Sequence, residues 1–348
     1  MSRRLRIGVL GPPPVEDELH AQQVTYQDAQ FLAMREHADV VFGPEALAGI
    51  QDHDAVIAFD ERQLLIDLAP SLPRRLQPLL VFVTHDYWCH PVAVAELLSG
   101  YERVLSVVRH AGAQRLYGLL MPEVPCSVQR PGVDTDLYRR ATTPKQWDIL
   151  ISGRETDDYP VRRRLNAVVR DQAQRRGWKV LDLPRQVGAP HGGYAETLAS
   201  AKVSPTGTPR GGLGAQLVLQ YVDASTGRLD LAADAPGLAG DPFYSYDLPA
   251  VAVRSFPVGG PPPRYLESMA CGTLLVGDLP AGDDWYRDKM VPVSLGDSDE
   301  QLGDLIDHWV RSDAERERLC DHAYTETMRT ETTRLRAAEL VELIRGHC

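Results

Sequence analysis

The stretch Arg264-Tyr-Leu-Glu-Ser-Met-Ala-Cys-Gly-Thr-Leu-Leu-Val-Gly-Asp278 predicts a short helix that stops at a glycine and passes straight into a buried strand. Arg264 to Cys271 contains no β-branched residue and sets Leu266, Met269 and Ala270 on one face. Gly272 supplies the left-handed residue that ends a helix, and Thr273 to Val276 is an apolar run of strand length. Just upstream, Gly259-Gly260-Pro261-Pro262-Pro263 lets backbone approach a ligand closely and pre-sets proline for a first helical position. Glu267 sits in the opening turns. A helix opening toward a cleft can hold diphosphate, and a carboxylate one turn in can accept both hydroxyls of a ribose. That combination asks for a nucleotide-sugar.

Outward from this stretch, strands and helices alternate. In the first half, Arg6 to Leu10, Asp39 to Phe42, Ala55 to Phe59, Leu79 to Thr84 and Val104 to Val107 read as strands, with helical spacing over Val24 to Glu36 and Pro91 to Leu98. The polar, proline-bearing Ala141-Thr-Thr-Pro-Lys-Gln146 reads as a linker, and the pattern restarts beyond it. Ile149 to Ser152, a helix carrying Val161, Leu165, Val168 and Val169, and Lys179 to Leu183 form a βαβ unit, followed by a short helix at Tyr194 to Ala201. Such alternation implies parallel sheets covered on both faces. The expected domains are 1–142 and 145–330, with 331–348 as a terminal helix striped by Leu335, Leu340, Val341 and Ile344. Ser298 with Gln301 and Ser312 with Glu315 are capping-box pairs. Residues 216–232 read as a β-hairpin within an insertion at about 213–247.

Composition narrows the class. The 348 residues carry 37 basic and 48 acidic side chains, a net charge of −11, which argues against a general nucleic-acid or anionic-membrane surface. Apolar runs such as Leu79 to Val83 are far too short to span a bilayer. The basic start Met1-Ser-Arg-Arg is followed by Gly11-Pro12-Pro13-Pro14, which cuts off the apolar run, so a first strand is expected rather than a leader. The five cysteines show neither a paired framework nor metal-ligand spacing, and His90 beside Cys89 lacks further ligands. A cytoplasmic protein with no metal and no cofactor is the expectation.

Three motifs carry a resemblance. Leu266 to Thr273 resembles the helix–glycine–strand signature in the second domain of GT-B glycosyltransferases. Arg130-Pro-Gly-Val-Asp-Thr-Asp-Leu-Tyr138 is similar to the junction that ends their first domain. Trp147-Asp-Ile-Leu-Ile-Ser-Gly153, with Arg154 and the basic helix start at Arg162, resembles the opening of the nucleotide domain, especially in the CgeB-like branch. The resemblance covers residues 130 to 280 in the family's order. It implies an α/β protein of the GT-B type: two Rossmann-like domains with parallel sheets facing a central cleft, a nucleotide diphospho-sugar donor, an acceptor hydroxyl or amine, and retention of anomeric configuration. Many retaining members carry a second glutamate eight residues before the one matching Glu267; that position is Gly259 here, as is common in the CgeB-like branch. Two alternatives stay open, a nucleotide-sugar epimerase of the same architecture and a nucleotide-binding protein without catalysis.

Candidate site residues follow from position. Arg154 directly follows a strand, where open α/β sheets bind ligands, and is the first candidate for a phosphate contact. Arg162 is the second, by its alignment with the family's basic residue; Arg163 and Arg164 read as solvated, and Lys202 as structural. Ser204, Thr206 and Gly207 end the next strand and should line the base pocket, while Gly259 and Gly260 should offer backbone N–H groups to phosphate. Gly272 and Thr273 complete the donor set. In the first domain, His85 and Asp86 follow a buried strand and are the candidates for proton transfer, with Tyr87 and Trp88 beside them for the acceptor. Glu16 and Asp17 follow the first strand in the loop that borders the acceptor in GT-B enzymes.

Overall fold

A computed structural model describes residues 3–11, 26–60, 63–73, 75–84, 91–153, 155, 159–183, 191–208, 261–280, 283–294 and 296–348. The expected hairpin and insertion at 213–247 lie outside the described residues.

Two parallel sheets organise the chain. The first contains β1 (Arg6–Val9), β2 (Asp39–Phe42), β3 (Ala55–Phe59), β4 (Leu79–Val83), β5 (Val104–Val108) and β6 (Cys126–Val128), in the order β2-β1-β3-β4-β5-β6. Every residue of β4 and β5 is buried, which is why both strands read as unbroken apolar runs rather than as alternation. Helices α1 (Tyr26–Ala33), α2 (Gly43–Ala48), α3 (Pro91–Leu98) and α4 (Ala111–Leu120) belong to this half. The long helix expected over Val24 to Glu36 is shorter, because Met34–Glu36 tightens into a 3₁₀ turn.

The second sheet is built from β7 (Trp147–Ile151), β8 (Val180–Asp182), β9 (Ala201–Pro205), β10 (Leu274–Gly277) and β11 (Val291–Pro292), in the order β11-β10-β9-β7-β8. Around it stand α5 (Pro160–Arg176), α6 (His191–Ala199), α7 (Arg264–Ala270), α8 (Asp299–Arg311) and α9 (Asp313–Thr330). Leu266, Met269 and Ala270 of α7 lie in the core, as their spacing requires. The Ser298–Gln301 capping box forms in full. The Ser312–Glu315 box does not: Ser312 both ends α8 and starts α9, its side chain caps nothing, and the Glu315 carboxylate lies 3.0 Å from His308 Nε2.

The chain crosses between the sheets twice, and the crossings lie side by side. Val133 N–H donates to the Glu331 carbonyl at 2.8 Å, and Thr333 N–H donates to the Val133 carbonyl at 3.0 Å. Val133 and Tyr138 already pack in the second core, so the outward crossing precedes the polar segment 141–146 that reads as the linker. Within that segment Lys145 straps the second domain, donating to the Ala199 carbonyl at 2.8 Å. The return crossing delivers α10 (Thr333–Arg345) to the first domain, where Ala337, Leu340, Val341 and Ile344 are buried with Ile7, Phe31, Met34 and Val81.

Gly132 is what lets the two crossings touch. A Cβ there would meet Thr333 Cα at 2.7 Å and Thr333 N at 2.8 Å, both backbone atoms that cannot swing aside. Gly132→Ala should therefore cost ~1–3 kcal/mol, the usual range for overpacking. Gly118→Ala, in the exposed last turn of α4 with nothing within 4 Å of the new methyl, should instead gain ~0.5 kcal/mol. Scanning calorimetry of the two variants checks the pair, and equal melting temperatures would contradict the backbone contact.

Candidate functional site

In an open parallel sheet, ligands bind beyond the carboxyl ends of the strands where the strand order reverses. In the second sheet that point lies between β7 and β9, since β7 pairs with β8 on one side and with β9 on the other. β7 runs out through Ser152 into Gly153, whose φ of +93° suits glycine. Arg154 lies outside the described residues, as do Gly259 and Gly260.

α5 opens beside this turn. Its Val161, Leu165, Val168 and Val169 are buried in the core of the second sheet, and that packing carries Arg162 down to 4 % exposure. The Arg162 guanidinium lies 4.0 Å from the centre of the Tyr159 ring, and its Nη2 donates to the Gly207 carbonyl at 3.1 Å. Burial first, and the Arg264 guanidinium second, push the Arg162 pKa down to about 10. A Cβ on Gly153 would overlap Arg264 Nη1 and come within 3.0 Å of Arg162 Nη1. Two guanidiniums thus converge over one glycine.

Arg264 comes from α7 and lies 5.4 Å from the centre of the Tyr194 ring. One turn on, Glu267 accepts a hydrogen bond from the Tyr138 hydroxyl. Burial raises the Glu267 pKa, while Arg264 and the Tyr138 hydroxyl pull it the other way. Tyr138 meets Tyr194 edge to face at 6.4 Å, which closes a cluster of Arg264, Glu267, Tyr138 and Tyr194. Two cations therefore stand against one carboxylate whose ionisation is opposed by burial, an arrangement suited to a dianion. Sequence reasoning missed Arg264. The signal available was a basic residue directly after three prolines and one turn before Glu267.

On the far side, Ser204 and Thr206 are fully buried at the end of β9, and their hydroxyls have no hydrogen-bond partner among the described residues. Gly207 presses against α5, since a Cβ there would sit 2.8 Å from the Arg162 backbone nitrogen. Arg164 pairs with Asp299 at 2.9 Å and Lys202 with Asp148 at 2.9 Å, both away from this edge.

Gly272 and Thr273 do not join the cluster. They start β10, at the opposite edge of the sheet from Gly153 and Gly207. The Thr273 hydroxyl donates to the Leu198 carbonyl at 2.6 Å, and Gly272, with φ +61°, packs against Arg140. Their work is to end α7 and begin a strand, so they are not retained as donor contacts.

In the first domain, the candidates Glu16, Asp17, His85, Asp86, Tyr87 and Trp88 all lie outside the described residues. Thr84, directly before them, is fully buried at the end of β4. Arg109 and His110 follow β5 on the same edge and are 4 % and 2 % exposed. Burial lowers the His110 pKa to about 4, with Asp283 of the second domain acting in the opposite sense. Among the described residues no group of three or more His, Cys, Asp or Glu is placed to hold a metal ion, and no helix is long and apolar enough to cross a membrane.

No protein-family model matches the sequence, and no curated protein matches it. Solved structures do match in fold. Sucrose-phosphate synthase from Thermosynechococcus elongatus superposes with a TM-score of 0.59 at 11% identity, covering 99% of each chain. HepE from Anabaena, solved in complex with UDP-glucose, gives 0.58 at 11% identity over 99% of this chain and 100% of its own. AviGT4, a glycosyltransferase of avilamycin A biosynthesis, gives 0.53 at 13% identity over 99% and 98%. The chain has the GT-B fold. Within this GT-B chain the paired arginines belong to the second domain, and His110 stands on the first.

His110 generates a pH prediction. An unfolded imidazole titrates near 6.5, but the folded protein holds His110 neutral down to about 4. The unfolded state therefore binds the proton first as pH falls, and stability drops from pH 6.5 until it levels off near 4. The full loss is on the order of 3 kcal/mol. Urea melts of the wild type and His110→Gln between pH 7 and 4.5 check it. The variant's acid arm should be flatter, and parallel curves would refute the assignment.

Proposed function

We propose that this protein is a glycosyltransferase that moves a sugar from a nucleotide diphospho-sugar to an acceptor hydroxyl or amine. The observation that carries the reading is the convergence of Arg162 and Arg264 over Gly153, at the strand-order reversal, with Glu267 one helical turn from Arg264. Glycosyl transfer breaks the bond between the anomeric carbon and the diphosphate, so negative charge grows on the leaving group. Two partly desolvated guanidiniums are placed to take that charge, without a metal or other cofactor in the reading. Glu267 would accept the ribose hydroxyls, and Ser204, Thr206 and Gly207 would border the base. Arg154, Gly259 and Gly260 complete the proposed donor set.

The acceptor side rests on His85 and Asp86, with Tyr87, Trp88, Glu16 and Asp17 around the acceptor. Retention of configuration follows from the resemblance to the retaining group and its CgeB-like branch. On that reading the acceptor oxygen bonds to the anomeric carbon while the departing phosphate takes the acceptor's proton, and no protein nucleophile forms a bond. Nuclear magnetic resonance of the product's anomeric centre tests this; an inverted product would turn attention to Asp86 as base. HepE shares the fold and was solved with UDP-glucose, which makes a uridine diphosphate sugar the first donor to try. The four described cysteines are free thiols, in keeping with a cytoplasmic setting.

Calorimetry with UDP, ADP, GDP and dTDP tests the donor assignment. One of them should bind, and Glu267→Gln should weaken it roughly tenfold to a hundredfold, the worth of charge-assisted bonds to a diol. The melting temperature should stay unchanged, because glutamine still accepts the Tyr138 hydroxyl. Unchanged affinity, or a loss explained by unfolding, refutes the ribose role. Incubation with nucleotide-sugars separates the classes: transfer or donor hydrolysis supports the enzyme, and interconversion of donors would make it an epimerase.

A further inference from the structure

β9 and β10 are neighbouring parallel strands, so the turns that leave them lie side by side at the ligand edge. Asp278, the first residue after β10, reaches across to Thr208. The Thr208 backbone N–H donates to Asp278 Oδ1 at 2.8 Å, and the Thr208 hydroxyl donates to Oδ2 at 2.5 Å. Asp278 is itself pinned. The fully buried Tyr265 hydroxyl donates to its carbonyl at 2.6 Å, and Tyr265 stands edge-on to the buried Tyr286 at 5.5 Å. Both carboxylate oxygens therefore accept from Thr208, with the Tyr265 hydroxyl also 3.5 Å from Oδ1, and the described residues 206–208 carry no regular structure of their own.

That turn is the one that aims Arg162. Its Gly207 carbonyl accepts from Arg162 Nη2 at 3.1 Å, and a Cβ on Gly207 would stand 3.1 Å from Asp278 Oδ1 and 2.8 Å from the Arg162 backbone nitrogen. The turn is thus held between the carboxylate on one side and the start of α5 on the other. We propose that Asp278 is a positioning residue of the donor site: by taking both Thr208 donors it fixes the Gly207 carbonyl that orients the Arg162 guanidinium toward the diphosphate. This rests on the donor-site reading given above, and it assigns Asp278 no contact with donor or acceptor. It acts through Thr208 and Gly207.

The test compares a nucleoside diphosphate with its nucleoside, since Arg162 serves the phosphates alone. With UDP and uridine as probes, or the diphosphate that binds best and its nucleoside, Asp278→Ala should weaken the diphosphate roughly tenfold and leave the nucleoside unchanged. Thr208→Val, nearly isosteric, should lose diphosphate affinity in the same selective way, and Thr208→Ser, which keeps both donors, should bind as the wild type does. In an Arg162→Ala background, Asp278→Ala should cost nothing further, because the guanidinium it positions is gone. A merely structural aspartate would lower the melting temperature while its binding loss added to that of Arg162→Ala. Additive losses, equal losses for nucleoside and diphosphate, or no loss at all overturn the proposal while leaving the donor site standing. Failure of the wild type to bind any nucleoside diphosphate overturns the donor-site reading, and this proposal with it. If Asp278→Ala does not fold, Thr208→Val and Thr208→Ser carry the same comparison.

Discussion

The paired crossings at Val133 and Glu331–Thr333 are the constraint on which the rest of the molecule depends. Each supplies a backbone partner for the other, Val133 N–H for the Glu331 carbonyl and Thr333 N–H for the Val133 carbonyl, so these groups are satisfied where the two links meet. Side chains fasten the same place. Arg130 grips Asp283 through two bonds, of 2.6 and 3.1 Å, and reaches Glu331 at 3.2 Å; Arg336 also pairs with the buried Glu331. Gln129 receives the Gln30 amide at 2.8 Å and donates to the Arg336 carbonyl at 2.8 Å. Removing one member of such a buried set leaves an uncompensated charge, so the set favours one arrangement of the crossings over others. A few residues downstream, Tyr138 hydrogen-bonds Glu267. The crossings and the Glu267 carboxylate are thereby parts of one packed unit.

The cleft edge solves a different problem, that of holding two like charges together. Repulsion between Arg162 and Arg264 has to be offset by the fold. Tyr159 and Tyr194 offer π faces, Glu267 offers a carboxylate, and the Gly207 carbonyl offers an acceptor. Gly153 completes the arrangement by being absent as a side chain. Its positive φ suits glycine, and a Cβ there would occupy the place of the Arg264 guanidinium. The site is assembled from β7, α5, α6, α7 and β9, and each contributes one part that is unremarkable alone.

That distribution explains what could be read in advance. Asp39–Phe42, Ala55–Phe59 and Pro91–Leu98 were legible to the residue, because apolar runs and prolines mark them locally. α4 was not, since Ala111-Gly-Ala-Gln-Arg-Leu-Tyr-Gly-Leu-Leu carries two glycines that dilute any helical signal. β6 is three residues long, too short for a period to show. The polar segment 141–146 has the composition of a linker, yet the crossing occurs where Gly132 permits backbone to lie on backbone. Glu267 and Arg162 stood out through a carboxylate in a helix–glycine–strand motif and a basic helix start. Arg264 carried no such mark. Its meaning depends on Gly153, far away in sequence, and a contact of that kind is visible only once the sheet has closed. Ser312 shows the converse, a good local cap pattern overridden because its partner Glu315 found His308.

Charge adds a last consideration. At a net −11 the protein as a whole repels a nucleotide diphosphate, so the two arginines cannot work as part of a long-range attracting field. Beyond a Debye length of about 8 Å at physiological salt their charge is screened. What they offer is short-range: donors already oriented, partly stripped of water, and held by groups that a ligand need not displace. If the proposed donor reading holds, such a site would pay little to reorganise when a diphosphate arrives, and its advantage would grow as charge develops on the leaving oxygen. On the proposed reading, selectivity depends on geometry within a few ångströms of Gly153, and the successive turns on the β9 side of it, Gly207–Thr208 and then Asp278, matter as much as the cations themselves.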